Sequence, residues 1–238
     1  MAPYFIFKGI DSRDHVILER LPLLTRSERT TSIIEVPNGY PVVYESYAFR
    51  PLPITIHVGY KDTSASEMLF IDDWLFGQGD LIFSNDTERY HKAVCNGVLT
   101  GSRISSKLGR IPVSFTLLPF KYAVSNDWET INLQNVDDGK QGWISYEGTV
   151  WGEPTIKLYG NGEIYCQLGP NPVTIRNVVD HCIIDVPQKR VFDKDGNVIL
   201  NNTVGNITSF NLVNNVQRYI KVSSNVTKVE VLKNMRWK

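Results

Sequence analysis

A mainly β fold follows from three features of the sequence: apolar residues alternate with period two along most of the chain, helical periodicity occurs convincingly once, and polar turn-rich stretches separate the alternating runs. Phe5/Phe7, Ile54/Ile56/Val58 and Val113/Phe115/Leu117 each put apolar side chains on one strand face, with Thr55, His57, Ser114 and Thr116 on the other. Strands of this kind cover a core on one side and meet water or a neighbour on the other.

The helical exception is expected near residues 65–76. Ser64 can cap its start with Glu67 three residues on, and Gly77 can end it. On a helical wheel Met68, Leu69, Phe70, Ile71, Trp74, Leu75 and Phe76 take up most of the circumference, broken modestly by Glu67 and Asp73. A short helix this apolar needs cover on more than one side, from its own sheet and from another subunit. Asp72 lies on the apolar arc and therefore calls for a hydrogen-bonding partner.

After Leu118 the character changes. Pro119-Phe120 is expected to close a strand, and the stretch from Asn132 to Gly142 is rich in Asn, Asp, Gln and Gly. We place a domain boundary there, giving an N-terminal domain over 1–135 and a C-terminal one over 136–238. The second domain begins with Thr155–Tyr159 and Glu163–Leu168, read as a hairpin across Gly160-Asn161-Gly162 whose inner face carries Ile156, Leu158, Ile164, Cys166 and Leu168. Strands at 173–179, 182–186, 217–222 and 227–232 follow with no helix between them, the pattern of a β-sandwich.

Composition narrows function. Among 238 residues, 25 Lys+Arg balance 25 Asp+Glu, so no net charge drives the chain towards nucleic acid or an acidic membrane surface. No run reaches the ~18 apolar residues of a membrane span, and the start lacks the pattern of a secretion signal, so folding in a cytoplasm is expected. Cys95, Cys166 and Cys182 have no zinc-type spacing and read as core residues.

Catalytic and metal chemistry find little to work with. Asp72 and Asp73 are adjacent, so on a helix they diverge by about 100° and cannot flank one bond. His15, His57, His91 and His181 are scattered without ligand spacing. Asp193-Lys194-Asp195-Gly196-Asn197 echoes a calcium loop but has Val204 where the twelfth-position Glu belongs, so a tight turn is the better reading. No phosphate-binding loop or dinucleotide fingerprint is present. The expectation is a protein with no catalytic residues, cofactor or metal. Trp143, Tyr146, Trp151 and Tyr159 form an aromatic group early in the second domain, and Trp143, Trp151 and Tyr159 are candidates for stacking a saccharide or holding a partner.

The segment Trp74-Leu75-Phe76-Gly77-Gln78-Gly79-Asp80-Leu81-Ile82-Phe83-Ser84, followed by Arg89-Tyr90-His91-Lys92-Ala93, resembles the helix, strand and RYYKA-type run of the distal tail (Dit) proteins of long-tailed siphophages. Phe5–Ser12, Leu21-Pro22, Leu118–Tyr122, Ile184-Asp185, Asp195-Gly196, Gly205 and the closing Met235-Arg236-Trp237 extend the likeness over most of the chain. Two loops depart from the family pattern, Val36–Pro41 and Asn214-Asn215.

The resemblance implies an N-terminal β-sandwich-like domain with one short α-helix, assembling as a homo-hexameric ring, and a galectin-like C-terminal β-sandwich outside it. It further implies a place at the tail tip of a virion and passage of DNA through the ring without specific nucleic-acid binding. The implied neighbours are the tail tube protein, a tail-associated lysin or fibre hub, the tape-measure protein and, for some relatives, receptor-binding or baseplate proteins. Phe70, Trp74 and Phe76 are then the ring-interface candidates. The alternative function is a carbohydrate-binding module that contacts host cell-wall saccharides.

Overall fold

Alternation becomes architecture in the computed structural model, which describes residues 2–23, 27–62, 64–97, 102–105, 108–214 and 216–238. Asn215, half of one departing loop, lies outside the described residues. The fold is mainly β, and the chain divides into two compact units, Met1–Val124 and Ser125–Trp237.

The first unit contains β1 (Phe5–Phe7), β2 (Ile10–Asp11), α1 (Ser12–His15), β3 (Val16–Leu18), β4 (Arg29–Ile34), β5 (Val42–Phe49), β6 (Leu52–Tyr60), α2 (Ala65–Trp74), β7 (Gly77–Phe83), β8 (Asp86–Cys95), β9 (Ser102–Ser105) and β10 (Leu108–Ala123). Its main antiparallel sheet has the order β2-β1-β7-β8-β10-β6-β3, with β9 paired to β10. Phe7 and Ile10 pair across Lys8-Gly9, both at positive φ, the backbone of a two-residue primed hairpin turn that glycine favours.

One face of this sheet is sealed by Phe5, Phe7, Ile56, Val58, Leu81, Val113, Phe115 and Leu117, with Ile71, Trp74 and Leu75 from the helical segment packed on them. The alternating partners Thr55 and Ser114 face outward and join their hydroxyls at 3.1 Å. Ser64 caps α2 through its hydroxyl, which accepts from the Glu67 amide at 3.4 Å. The strand expected to close at Pro119-Phe120 runs on to Ala123. Proline lacks the ladder N–H, and β10 absorbs it in a register shift against β8 between Leu117 and Lys121.

In the second unit lie β11 (Glu129–Thr130), β12 (Gln134–Val136), β13 (Gly139–Ile144), β14 (Thr155–Gly160), β15 (Gly162–Leu168), β16 (Pro172–Val178), β17 (His181–Asp185), β18 (Arg190–Phe192), β19 (Thr203–Gly205), β20 (Arg218–Val222) and β21 (Val226–Leu232). Two sheets of order β11-β21-β14-β17-β18 and β12-β13-β20-β15-β16-β19 share a single core. The unit begins upstream of the composition change at Asn132–Gly142, because β11 pairs with Val231 and Glu230 and Ile131 is buried in this core.

Here the expected hairpin fails. β14 pairs with β17 and β21, whereas β15 pairs with β16 and β20, so Gly160-Asn161-Gly162 is a corner between sheets. Asn225 braces it by donating its side-chain amide to the carbonyls of Asn161 and Glu163. Ile156, Leu158, Ile164, Cys166 and Leu168 do share one core, but from opposite layers. Tyr146 ties the segment after β13 to the C-terminal end of this unit: its hydroxyl donates to the Val150 carbonyl at 2.7 Å and accepts from the Arg236 amide at 3.0 Å.

One titratable group sits uneasily in the first sheet. His91 on β8 lies opposite Leu81 of β7 and Lys121 of β10, and both its ring nitrogens are buried with no hydrogen-bond partner. Burial, then the charge of Lys121, lowers its pKa to about 4, while Asp86, ion-paired with Lys121 at 2.7 Å, opposes the shift. Above the ordinary value near 6.5 the ring is neutral folded or unfolded. As pH falls from there towards 4, the unfolded chain takes up the proton first, so the fold loses stability. Replacing His91 by Leu is expected to remove part of the decline in melting temperature between pH 6.5 and 4, and superimposable acid profiles for the two proteins would refute this assignment.

Candidate functional site

The α2 side chains sort by which way the helix is anchored. Trp74 is 3% exposed. Its indole N–H donates to the Phe7 carbonyl at 2.8 Å, and its ring stacks on Phe5 with centroids 5.7 Å apart. This tryptophan therefore belongs to the unit's own core. Phe70 is exposed, with one side of its ring on His15, ring centroids 4.5 Å apart, and the His15 Nδ1 lies 2.7 Å from Glu67 Oε1. Phe76 is 62% exposed. Of the three predicted residues, only Phe76 lines a groove of about 720 Å³ formed with Tyr60, Met68, Leu69 and Asp72.

Asp72 is exposed at this groove, which removes the need for a buried partner. Its charge, after burial, keeps the Tyr60 phenol above its ordinary pKa. Asp73 is exposed as well.

A second apolar surface was missed by the sequence reading. β4 and β5 form a hairpin of their own, with Ile33 opposite Val43 and Ile34 opposite Val42. Neighbours along a strand point to opposite faces, so both faces of the ribbon are apolar, and all four side chains are exposed. The turn is closed by the Gly39 amide on the Val36 carbonyl, and Tyr40 beside it is 93% exposed. At its base the ribbon is anchored by Phe49, edge-to-face on Phe120 at 5.3 Å. The signal is legible in the sequence: β-branched pairs flank Pro37-Asn38-Gly39, a hairpin pattern.

In the second unit the aromatic candidates do not converge. Trp143 lies on the outer face of the six-stranded sheet, Tyr159 on that of the five-stranded sheet, and Trp151 in the link between the bridges of Val150 and Gly152. Tyr159 is fully engaged. Lys157 and Lys228 sit 5.0 and 5.3 Å from its ring centroid, and its hydroxyl donates to Glu230 at 2.8 Å. Lys228, and next Tyr159, hold the Glu230 carboxyl below its usual range. Trp143 instead pairs across the strands with Tyr219, edge-to-face at 6.1 Å, a partner unnoticed in the sequence although the Arg218–Val222 alternation points it outward.

Asp193 forms the predicted turn, accepting from the amides of Asn197 and Asp195 at 2.8 and 2.9 Å, and the bonds from Asn197, more than that from Asp195, lower its pKa. Among the described residues no cluster of His, Cys, Asp or Glu has the makings of a metal site. The three cysteines are buried, and burial pushes the Cys182 thiol up to about 12. No described helix is long and apolar enough to cross a membrane.

The chain has the fold of the Dit protein of phage SPP1, whose crystal structure is described as a paradigm of hub adsorption apparatus in phages infecting Gram-positive bacteria. The TM-score is 0.75 over 97% of this chain and 98% of that one, at 12% sequence identity. No family model and no curated protein matches the sequence.

The burial of Trp74 has a measurable consequence. Trp74→Ala is expected to destabilise the first unit by roughly 3–5 kcal/mol, as large-to-small aromatic truncations in cores do. Trp74→Phe keeps most of the packing and loses the indole hydrogen bond to the Phe7 carbonyl, for a smaller loss of about 0.5–1.5 kcal/mol. Denaturant unfolding of both variants checks the order, and an unchanged midpoint for Trp74→Ala would contradict the packing.

Proposed function

We propose that this protein is a non-catalytic structural component of a phage tail tip, closing into a homo-hexameric ring that joins the tail tube to the adsorption apparatus. The observation that carries this reading is the fold shared with SPP1 Dit along nearly the whole of both chains. The expected neighbours are the tube protein, a tail-associated lysin or fibre hub, the tape-measure protein during assembly and, on the outer domain, receptor-binding or baseplate proteins. DNA would pass through the ring, and a balance of 25 basic and 25 acidic residues suits a conduit that does not grip its cargo.

Two apolar surfaces of the first unit support ring formation. An isolated two-stranded hairpin is marginally stable in water, so the β4–β5 ribbon gains from a partner. The groove at Met68, Leu69 and Phe76 lies on a different element. Distinct surfaces on one protomer favour heterologous, head-to-tail contacts, the geometry that generates rings. Phe70 on α2 and Phe76 just beyond its end are the contacts in this scheme, while Trp74 acts from behind by fixing the helix.

Light scattering and negative-stain imaging of the purified protein test the scheme, with a six-fold annulus expected and a monomer across the micromolar range overturning self-assembly. Ile33→Glu combined with Val43→Glu is expected to weaken association at least tenfold, about 1.4 kcal/mol, while leaving the monomer folded. Phe76→Ser is expected to act in the same direction. Unchanged association in all of these variants would place the interface elsewhere.

A further inference from the structure

The outer face of the six-stranded sheet carries an arrangement that the ring scheme does not use. Along β13, β20 and β15 the inward positions Ile144, Ile220, Val222, Cys166 and Leu168 are aliphatic or thiol and fully buried. The outward positions between them are aromatic or polar. Trp143 and Tyr219 are direct cross-strand partners, and they are 55% and 38% exposed. Their rings stand at 77° to each other, so one offers its face beside the other's edge.

Next to this pair, two residues along the strands, Gln141 lies opposite Lys221, and Lys221 opposite Gln167. Rows two residues apart on a strand are separated by roughly 7 Å. The polar row is partly preset: the Gln167 side-chain oxygen accepts from the Tyr165 hydroxyl at 2.7 Å, and its amide nitrogen donates to the Gly169 carbonyl at 3.0 Å. Gln141 and Lys221 are partly exposed, and Lys221 meets Asp138 at 3.2 Å, which balances its charge.

A pyranose ring presents a C–H face that stacks on an aromatic ring and equatorial hydroxyls that both donate and accept hydrogen bonds. An exposed indole with a tyrosine beside it, one sugar's length from an amide and an ammonium, matches both demands at once. The charge balance favours an uncharged ligand. The dissimilar dress of the other sheet strengthens the case, since the Tyr159 ring there is already occupied by two lysine cations.

We propose that the Trp143–Tyr219 face, with Gln141, Lys221, Gln167 and Tyr165, is a binding platform for a neutral oligosaccharide of two or three units, Trp143 supplying the stacking surface and Gln141 and Lys221 the hydrogen bonds. The site stands on the geometry of the second unit alone and is independent of ring formation. Trp151 and Tyr159 take no part in it.

Titration of the intact protein with maltotriose, cellotriose, chitotriose and β-1,6-galactobiose, followed by tryptophan fluorescence and calorimetry, tests the assignment. At least one sugar is expected to saturate, with a weak affinity typical of a single stacking site. Trp143→Ala is expected to weaken that binding at least tenfold, and Gln141→Ala several-fold, with melting temperature unchanged because both side chains lie outside the core. Tyr159→Ala should leave it unaltered. Failure of all four sugars to saturate up to roughly 10 mM, where even a millimolar complex would be formed, overturns the proposal. Binding that survives Trp143→Ala overturns it equally, as does loss with Tyr159→Ala but not with Trp143→Ala.

Discussion

Trp74 decides what the first unit shows to the outside. Its indole holds the helix to the sheet twice, through the hydrogen bond to the Phe7 carbonyl and through the stack on Phe5. With that side fixed inward and Ile71 and Leu75 buried beside it, the helix cannot turn Met68, Leu69 or Phe76 into its own core. The cost of exposing them is therefore a consequence of satisfying the indole N–H and filling the sheet face. A helix of ten residues with so many apolar side chains has more greasy surface than one sheet can cover, and the anchor determines which remainder is left over.

A comparable constraint rules the second unit. The corner at Gly160-Asn161-Gly162 sends β14 and β15 to opposite sheets, so side chains that look adjacent in sequence face the same core from two layers, while their outward neighbours point in opposite directions. Gly160 permits the turn at close quarters, since a Cβ there would come within 2.8 Å of the Asn225 carbonyl. This corner is why Tyr159 and Trp143 belong to different surfaces. A sugar platform assembled from both would need the hairpin that sequence suggests and the sheets do not make.

Much of the fold was legible because it depends on alternation. Phe5/Phe7, Ile54/Ile56/Val58 and Val113/Phe115/Leu117 appear on the sealed face as expected, and Ser64 caps the helix at the predicted place. Partner choice is not legible: period two says which side a residue takes but not which strand lies next to it, and so a corner and a hairpin read alike. Pro119 misled for a related reason, because a bulge can accommodate a missing donor that a regular ladder cannot. The candidate surfaces were half visible. Phe76 stands out through the apolar helical segment and the family resemblance, Trp143 through its aromatic neighbours, and the ribbon through the β-branched pairs around Pro37-Asn38-Gly39, whereas Tyr219 acquires meaning only through cross-strand register.

The ribbon places the strongest limit on any account of this chain. Ordinary half-buried strands put their apolar residues on one face, and a single neighbouring layer suffices to cover them. Here Ile33 and Val43 form a pair on one face and Ile34 and Val42 a pair on the other. One docking surface would leave one of those pairs in water. At roughly 25 cal/mol per Å² of apolar area, wetting either pair forgoes a substantial part of the available stabilisation. Covering both pairs takes an arm enclosed from both sides. At 12% identity to SPP1 Dit, what the two chains share is the fold.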